Sequence, residues 1–149
     1  MGNMERGKAA MRTDFAVLVD SDGFVGRFYP NDAHYQRARD IFQSLRDQQL
    51  RLVTTSFVVA ETATVLSHRQ GQELARKFLE DFIGAGDFDV IHITEELQDA
   101  ARQLFIQQTT KGTSMTDCAN VVVMKNFAIP RIFSFDKVYA KHFHLQVAA

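Results

Sequence analysis

Four acidic residues that lie far apart in this chain could do chemistry together. Each of them stands where an apolar run ends or a helical pattern begins: Asp20, Glu61, Asp117 and Asp136. In a parallel α/β sheet, the carboxyl ends of strands and the helix starts that follow them meet in one crevice. Four carboxylates brought together there would repel one another unless a cation lay among them. The pattern therefore predicts a site for a hard metal ion, and phosphoryl transfer is the chemistry that such a site suggests.

Strands and helices alternate along the chain in an order that would position these acids. Short apolar or β-prone runs predict the strands, and a helical pattern follows each of them. The predicted strands cover residues 15–19, 51–55, 88–93 and 131–135, with an edge strand at 144–147. This order predicts an α/β fold with a mostly parallel central sheet of four to five strands and helices on both faces.

Capping residues indicate where the helices that carry two of the acids begin. Ser56 is a capable N-cap and would place Glu61 in the second turn of its helix. Ser114 would open a later helix with Asp117 near the first turn. The helix between them has a regular apolar stripe, formed by Leu97, Ala100, Ala101, Leu104 and Phe105.

Length and composition indicate a single globular domain. The chain has 149 residues, of which 46% are hydrophobic and 23% charged, and these shares are ordinary for a soluble protein. The formal net charge of -1 argues against a protein that coats nucleic acid by bulk electrostatics, so any such contact must be local. We expect residues 1–13 to be a flexible leader and residues 14–149 to form the domain.

The sequence also indicates the compartment. A lone cysteine, Cys118, cannot form an internal disulfide, so the fold does not depend on an oxidising environment. No apolar run approaches the roughly 18 residues that span a bilayer, and the leader lacks the apolar stretch of a signal peptide. We therefore expect a cytoplasmic protein with no membrane partner.

Taken singly, each acid has an ordinary structural explanation. Asp117 could be only a helix-start residue, and Asp136 could be only the N-cap of a helix that begins at Lys137. Glu61 could be an exposed helical acid, although its neighbours are mostly apolar. A carboxylate in apolar surroundings needs a partner. The case for a shared site therefore rests on the four acids together.

Four segments carry a resemblance to a known family. They are residues 18–22, 55–61, 114–119 and 134–137, which contain Leu-Val-Asp-Ser-Asp, Thr-Ser-Phe-Val-Val-Ala-Glu, Ser-Met-Thr-Asp-Cys-Ala and Ser-Phe-Asp-Lys. In order and spacing, across residues 14 to 147, they resemble the successive acidic motifs of PIN-domain nucleases. Within that family the resemblance is strongest to the single-domain VapC-type ribonuclease toxins, which are partnered by a small antitoxin.

This resemblance implies a three-layer PIN-like fold and a role for each acid. Asp20, Asp117 and Asp136 would hold the metal, whereas Glu61 would either bind it or position the attacking water. Ser134 falls where the family often has a hydroxyl residue, two positions before the last acid. Asp22 stands where Asn, Ser or Thr is more usual and adds a negative charge, and Phe135 is bulkier than is common. These five acids and Ser134 are the candidate site residues.

The implied activity is that of a metal-dependent endoribonuclease, the toxin of a toxin-antitoxin pair. Oxygen ligands without a His or Cys pattern favour Mg²⁺ or Mn²⁺. One or two such ions can activate a bound water and neutralise charge on the leaving oxygen of a phosphodiester. The partners to expect are an RNA substrate, an antitoxin and a second copy of the chain in a homodimer.

Other residues suggest contacts around the site. Basic side chains that could meet phosphate are Arg27, Arg69, Lys137 and Lys141. Three aromatic residues, Phe24, Phe28 and Tyr29, are less clearly internal than the other phenylalanines. If exposed together, they would suit a dimer face or an antitoxin groove.

Two alternative functions remain open from the sequence. The stretch from Val19 to Phe24 also resembles the first motif of haloacid-dehalogenase-type phosphatases, with Asp20 as nucleophile and Asp22 as general acid. That family usually has Thr in the place of Phe24 and paired acids in its last motif, where this chain has Asp136 beside Lys137. The other alternative is a PIN-like binding module without catalysis, which the retention of all four acids disfavours.

Overall fold

Five parallel strands form one sheet in this computed structural model, which describes residues 14–86 and 88–148. The predicted leader, residues 1–13, lies outside the described residues. The strands are β1 (Val17–Val19), β2 (Leu52–Thr55), β3 (Asp89–Ile91), β4 (Arg131–Phe133) and β5 (Gln146–Val147), in the spatial order β3-β2-β1-β4-β5. Every neighbouring pair runs parallel. The predicted parallel sheet is therefore confirmed, including its edge strand.

Helices connect the strands. Those described are α1 (Ser21–Phe28), α2 (Tyr35–Asp47), α3 (Ser56–Arg69), α4 (Gln72–Lys77), α5 (Glu95–Ile106), α6 (Met115–Asn126) and α7 (Val138–His142). A π-helical segment, Phe78–Ile83, continues α4 directly. Within the described part of the chain, none of the helices combines the length and the apolar character needed to cross a membrane.

The sheet lies between two helical layers because successive strand side chains point to opposite faces. Val17 and Val19 of β1 pack with residues of α1 to α4 in one core cluster. Leu18, between them, packs in a second cluster with residues of α5 to α7. All three are fully buried, as expected for a strand covered on both sides. The predicted three-layer architecture is confirmed.

The strand order opens a crevice beside β1. The chain runs from β1 to β2 and β3 on one side, then returns to place β4 on the other side of β1. This reversal is the topological switch point at which open α/β sheets bind ligands. Val19 pairs with Phe133 at the ends of the two strands, and the Asp20 amide donates to the Phe133 carbonyl at 3.0 Å. Asp20 and Ser134 therefore leave the sheet side by side.

Two local predictions were wrong by small margins. Strand β4 ends at Phe133 rather than Phe135, because the Phe135 amide is diverted to the Asp22 carboxylate at 3.0 Å. The N-cap of α3 is Thr55, whose hydroxyl accepts from the Val58 amide. Ser56 instead accepts a hydrogen bond from the Ile93 amide, which ties α3 to the segment after β3.

The prediction of an exposed aromatic cluster was wrong. Phe24 is fully buried, and Phe28 and Tyr29 are half-buried against the same core cluster. The Phe24 ring lies 5.3 to 6.0 Å from the rings of four other phenylalanines: Phe42, Phe78, Phe82 and Phe88.

On α5, Phe105 of the predicted apolar stripe is 40% exposed. The buried edge of that helix is formed by Leu97, Ala101 and Leu104, so the predicted stripe was too broad.

Candidate active site

Asp20 is at the centre of the crevice and is held by four donors. It caps α1 by accepting from the Ser21 amide at 2.8 Å on Oδ1. The same oxygen accepts from Asn120 Nδ2 at 3.0 Å. Its Oδ2 lies 3.0 Å from the hydroxyls of Ser134 and Tyr139. With only 4% of its surface exposed, the carboxylate is fixed in one orientation.

Asp117 joins this network from helix α6. Ser114 and Asp117 form a capping box, in which the Ser114 amide donates to Asp117 Oδ2 at 2.9 Å and the Asp117 amide donates to Ser114 Oγ at 3.0 Å. The other carboxylate oxygen, Oδ1, lies 3.0 Å from the Tyr139 hydroxyl. Asp117 is thus both a helix-start residue and a neighbour of Asp20 through one shared hydroxyl.

Asp22 lies on the first turn of α1 and faces the connection after β4. Its Oδ2 accepts from the Phe135 amide at 3.0 Å and lies 3.1 Å from Ser134 Oγ. Its Oδ1 is buried and has no hydrogen-bond partner among the described residues. Ser134 therefore bridges Asp20 and Asp22, and the two secondary residues singled out from the sequence belong to the same network.

Asp136 forms the outer edge of the site. It is exposed, and its amide donates to Ser134 Oγ at 3.1 Å. Helix α7 begins at Val138, one residue later than expected, but Asp136 Oδ1 still accepts from the Val138 amide at 2.9 Å. The carboxylate therefore turns the chain into α7 while remaining next to Ser134.

Glu61 lies outside the hydrogen-bonded network. It is half-buried on α3, and no hydrogen bond or ion pair among the described residues engages its carboxylate. Because part of the side chain reaches solvent, water can satisfy it despite the apolar neighbours. Its role at the site stays a prediction.

Asn120 and Tyr139 are site residues that sequence reasoning missed. Asn120 is fully buried and donates through Nδ2 to both Asp20 Oδ1 and the Tyr139 hydroxyl at 3.0 Å. Its side-chain oxygen lies 3.5 Å from the Thr55 hydroxyl. Asn120 follows Asp117 by three positions on α6, a spacing that places side chains on one face of a helix. A polar residue at that spacing within an apolar run was the available signal.

Burial and mutual repulsion raise the pKa values of these carboxylates. Burial, followed by the negative charge of Asp22 and then that of Asp117, raises the pKa of Asp20 to about 7. Burial also raises the pKa of Asp22 to about 6, with Asp136 adding to the rise. The pKa of Asp117 is raised by burial and by Asp136. The negative charges of the four aspartates therefore repel one another, and a bound cation would offset this repulsion.

The donor chemistry fits a hard divalent cation. Every candidate ligand is a carboxylate oxygen, and the neighbouring Asp22 Oδ1 is buried with no hydrogen-bond partner among the described residues. In residues 14–86 and 88–148, however, no three His, Cys, Asp or Glu side chains lie in a ready metal-binding group. The Tyr139 hydroxyl stands between Asp20 and Asp117, 3.0 Å from an oxygen of each. The described residues therefore bring candidate oxygen donors close together without forming a complete metal site.

The basic residues singled out from the sequence divide into two pairs. Lys137 and Lys141 line clefts that adjoin Asp136. Arg69 instead forms an ion pair with Asp32 at 3.4 Å, and the Arg27 guanidinium lies 5.3 Å from the centre of the Phe28 ring. Neither arginine lines those clefts. Lys137 and Lys141 are therefore the pair that the fold places near the acids.

Cys118, next to Asp117, has no feature of a nucleophile. Its side chain is fully buried, and burial together with the Asp117 charge raises its pKa to about 11. Since the thiolate is the reactive form, this cysteine acts as a small core residue.

This chain matches a known protein family over most of its length and is similar to several known proteins. The family model of the PIN domain matches residues 17–142. The VapC ribonuclease of Archaeoglobus fulgidus is 28% identical over 127 residues, covering 84% of this chain and 80% of the relative. Mycobacterium tuberculosis VapC20, described as a toxin that cleaves the sarcin-ricin loop, superposes with a TM-score of 0.77 at 21% identity, covering 84% of this chain and 93% of its own. FitAcB from Neisseria gonorrhoeae superposes with a TM-score of 0.64 at 16% identity. The match covers 88% of this chain and 95% of the FitAcB chain. At these identities the two structures show a shared fold.

Proposed function

Since this chain belongs to the PIN domain family, we propose that it is an Mg²⁺- or Mn²⁺-dependent endoribonuclease and the toxin of a toxin-antitoxin pair. One observation carries the proposal. Aspartates from two distant segments of the chain, Asp20 with Asp22 and then Asp117, meet in one largely buried hydrogen-bonded network at the switch point of the sheet. Such a concentration of negative charge is costly unless it serves a cation.

Asp20, Asp117 and Asp136 are the residues that would hold the ion. When bound, a divalent ion of this kind acidifies a coordinated water and stabilises charge on the leaving oxygen. Ser134 and Tyr139 keep the Asp20 carboxylate oriented, and Ser114 does the same for Asp117. Supporting hydrogen bonds of this type determine how well ligands are presented to a metal.

Glu61 is assigned either a fourth ligand position or the placement of the attacking water. Its partial exposure and its lack of a hydrogen-bond partner among the described residues leave its carboxylate available for either task. A carboxylate that contacts the water could accept a proton as the phosphodiester is attacked.

The names of the relatives support RNA as the substrate. The Archaeoglobus protein is called a ribonuclease, and the Mycobacterium protein a toxin that cleaves the sarcin-ricin loop. A toxin implies an antitoxin that restrains it, and the proposal includes such a partner, a cytoplasmic location and a homodimer. Co-purification of the chain with a small protein that suppresses cleavage would support the antitoxin assignment.

The decisive assay compares the wild-type chain with Asp20→Asn and with Asp81→Asn, a substitution at an exposed acid on the π-helical segment. Each protein is incubated with mixed RNA and mixed DNA in Mg²⁺, Mn²⁺ or EDTA. We expect RNA cleavage that EDTA abolishes, that Asp20→Asn loses and that Asp81→Asn retains. Asn is also a good N-cap, so Asp20→Asn should still fold. RNA cleavage that is reduced neither by EDTA nor by the Asp20→Asn substitution would overturn the proposal.

The same assay separates the two alternatives. Turnover of a small phosphomonoester without RNA cleavage would favour the phosphatase interpretation, with Asp20 as nucleophile. Binding of Mg²⁺ or Mn²⁺ without cleavage of any nucleic acid would favour a binding module. The match to the PIN domain family over residues 17–142 favours the nuclease over the phosphatase.

A further inference from the structure

Two clefts extend from Asp136 on either side of the segment that leads into α7. One, of about 340 Å³, is lined by Arg37 of α2 and by Phe135, Lys137 and Lys141. The second, of about 370 Å³, lies between Lys137 and Lys141 and the loop before α6, which contributes Lys111. Asp136 lines both clefts, so the outer edge of the acidic network stands where they meet.

The cations along these clefts have no carboxylate partner among residues 14–86 and 88–148. Within the described ranges, ion pairs engage Arg51, Arg69, Lys77 and Arg102. Arg37, Lys111, Lys137 and Lys141 are in none of them. Four uncompensated positive charges beside a group of aspartates suit a polyanion whose phosphates lie on both sides of the acidic centre.

A flat aromatic pair borders the first cleft. The imidazole of His34, at the start of α2, stacks on the Phe135 ring with centroids 4.1 Å apart and planes 7° apart. Two contacts hold Phe135 in place: its amide donates to the Asp22 carboxylate, and its ring packs on the Phe133 ring. His34 is exposed, so one face of its ring covers Phe135 and the side chain meets solvent. Arg37 follows one turn later on the same helix.

We propose that these features form the substrate track: the two clefts bind backbone phosphates of a single-stranded RNA on either side of the scissile bond, and one unpaired base stacks on His34. This inference rests on the proposed nuclease function and adds the residues that hold the strand. Aromatic stacking requires an unpaired base, so the track selects single-stranded over duplex RNA. Phe135 also has a binding role in this arrangement, because the His34 ring stacks on it.

Binding without turnover tests the track. A fluorescein-labelled single-stranded RNA is titrated with the full chain in EDTA, followed by anisotropy at several salt concentrations, with a denaturing gel to verify that the RNA stays intact. We expect Arg37→Ala, Lys111→Ala and Lys141→Ala each to weaken binding by about three- to tenfold and to reduce the salt slope by roughly 0.7. The matched controls, Lys77→Ala and Arg102→Ala, remove ion-paired surface cations elsewhere and should bind as wild type does.

The stacking position has its own pair of variants. His34→Ala should weaken binding by about tenfold without changing the salt slope, because it removes a stacking surface rather than a phosphate contact. His34→Phe keeps the ring and should bind within about twofold of wild type. A duplex RNA of the same length should bind more weakly than the single strand and should be insensitive to His34→Ala.

The outcomes separate this inference from the proposed function. If all the cleft variants bind like the two controls, or if duplex and single strand bind equally, the track is overturned even when wild-type cleavage is robust. If the variants weaken binding as expected but the wild-type chain cleaves no RNA in Mg²⁺ or Mn²⁺, the track stands and the nuclease proposal fails. Equal binding by His34→Ala and wild type overturns the stacking assignment.

Discussion

The hydroxyl of Tyr139 lies 3.0 Å from Asp20 Oδ2, a residue 119 positions earlier in the chain. The same hydroxyl lies 3.0 Å from Asp117 Oδ1 and accepts from Asn120 Nδ2 at 3.0 Å. A hydroxyl has one hydrogen to donate, so it can serve only one of the two carboxylates at a time. This one oxygen therefore links the two aspartates assigned to the metal.

Removal of that hydroxyl should weaken metal binding. Tyr139→Phe keeps the buried ring but leaves the two like-charged carboxylates without their common donor. We expect affinity for Mn²⁺, measured by calorimetry, to fall by about tenfold, with a comparable loss of RNA cleavage. Tyr35→Phe is the control, since in the described part of the chain its hydroxyl contacts only Arg39, on the exposed side of α2. Unchanged Mn²⁺ affinity in Tyr139→Phe would show that the hydroxyl does not position the ligands.

The metal-free protein should become less stable as the pH rises. Folded Asp20 keeps its proton up to about pH 7, whereas an unfolded aspartate releases it near pH ~4. Between these values the folded state binds more protons, so the free energy of unfolding falls with rising pH, by an amount on the order of a few kcal/mol. In EDTA, the melting temperature should be higher at about pH 5 than at about pH 8.

Asp20→Asn provides the comparison for this effect. It removes the titrating group, so its melting temperature should depend less on pH over the same window, whereas exposed groups contribute equally to both proteins. Saturating Mg²⁺ at about pH 8 should raise the wild-type melting temperature, because a ligand that binds only the folded state stabilises it. Parallel curves for wild type and Asp20→Asn in EDTA would contradict the assignment of the raised pKa to Asp20.

Glu61→Gln should separate activity from stability. The carboxylate has no hydrogen-bond partner among the described residues and is half-exposed, so we expect the free energy of unfolding to change by less than about 0.5 kcal/mol. Cleavage should nonetheless fall by about 100-fold or more, as for the loss of a group that contacts the reacting water. The control is Glu80→Gln, an exposed acid on the π-helical segment. If Glu61→Gln cleaves RNA at the wild-type rate, Glu61 is not part of the active site.

The contact between α1 and α2 should not tolerate a methyl group at Gly26. A Cβ at this position would lie 2.9 Å from Ala38 Cβ, which is too close for two carbon atoms. Gly26→Ala should therefore destabilise the protein by about 1–3 kcal/mol in urea unfolding, even though Ala favours helices over Gly. The double variant with Ala38→Gly should recover part of the loss, whereas strict additivity would show that the two positions do not clash.

The sequence carried enough information to place the acids on the sheet. Alternating apolar runs and capping residues predicted the strands, their parallel arrangement and the strand-end position of Asp20. The segment after Phe133 could not be predicted, because its path depends on Asp22, a residue 113 positions away that captures the Phe135 amide. The partners of Tyr139 and Asn120 are likewise defined by how α6 and α7 pack. The three-residue spacing of Asn120 from Asp117 marked a shared helix face, but it did not identify those partners.

The hydrogen bonds to Asp20 also determine when the site can exist. Its side-chain partners at Asn120, Ser134 and Tyr139 lie 100, 114 and 119 residues further along, whereas synthesis and folding begin from the amino terminus. A growing chain that ends at Phe133 already contains Asp20, Glu61 and Asp117, but it lacks Ser134, Asp136 and every residue of α7. The acids therefore acquire their common surroundings only after Ser134 and Tyr139 have been synthesised.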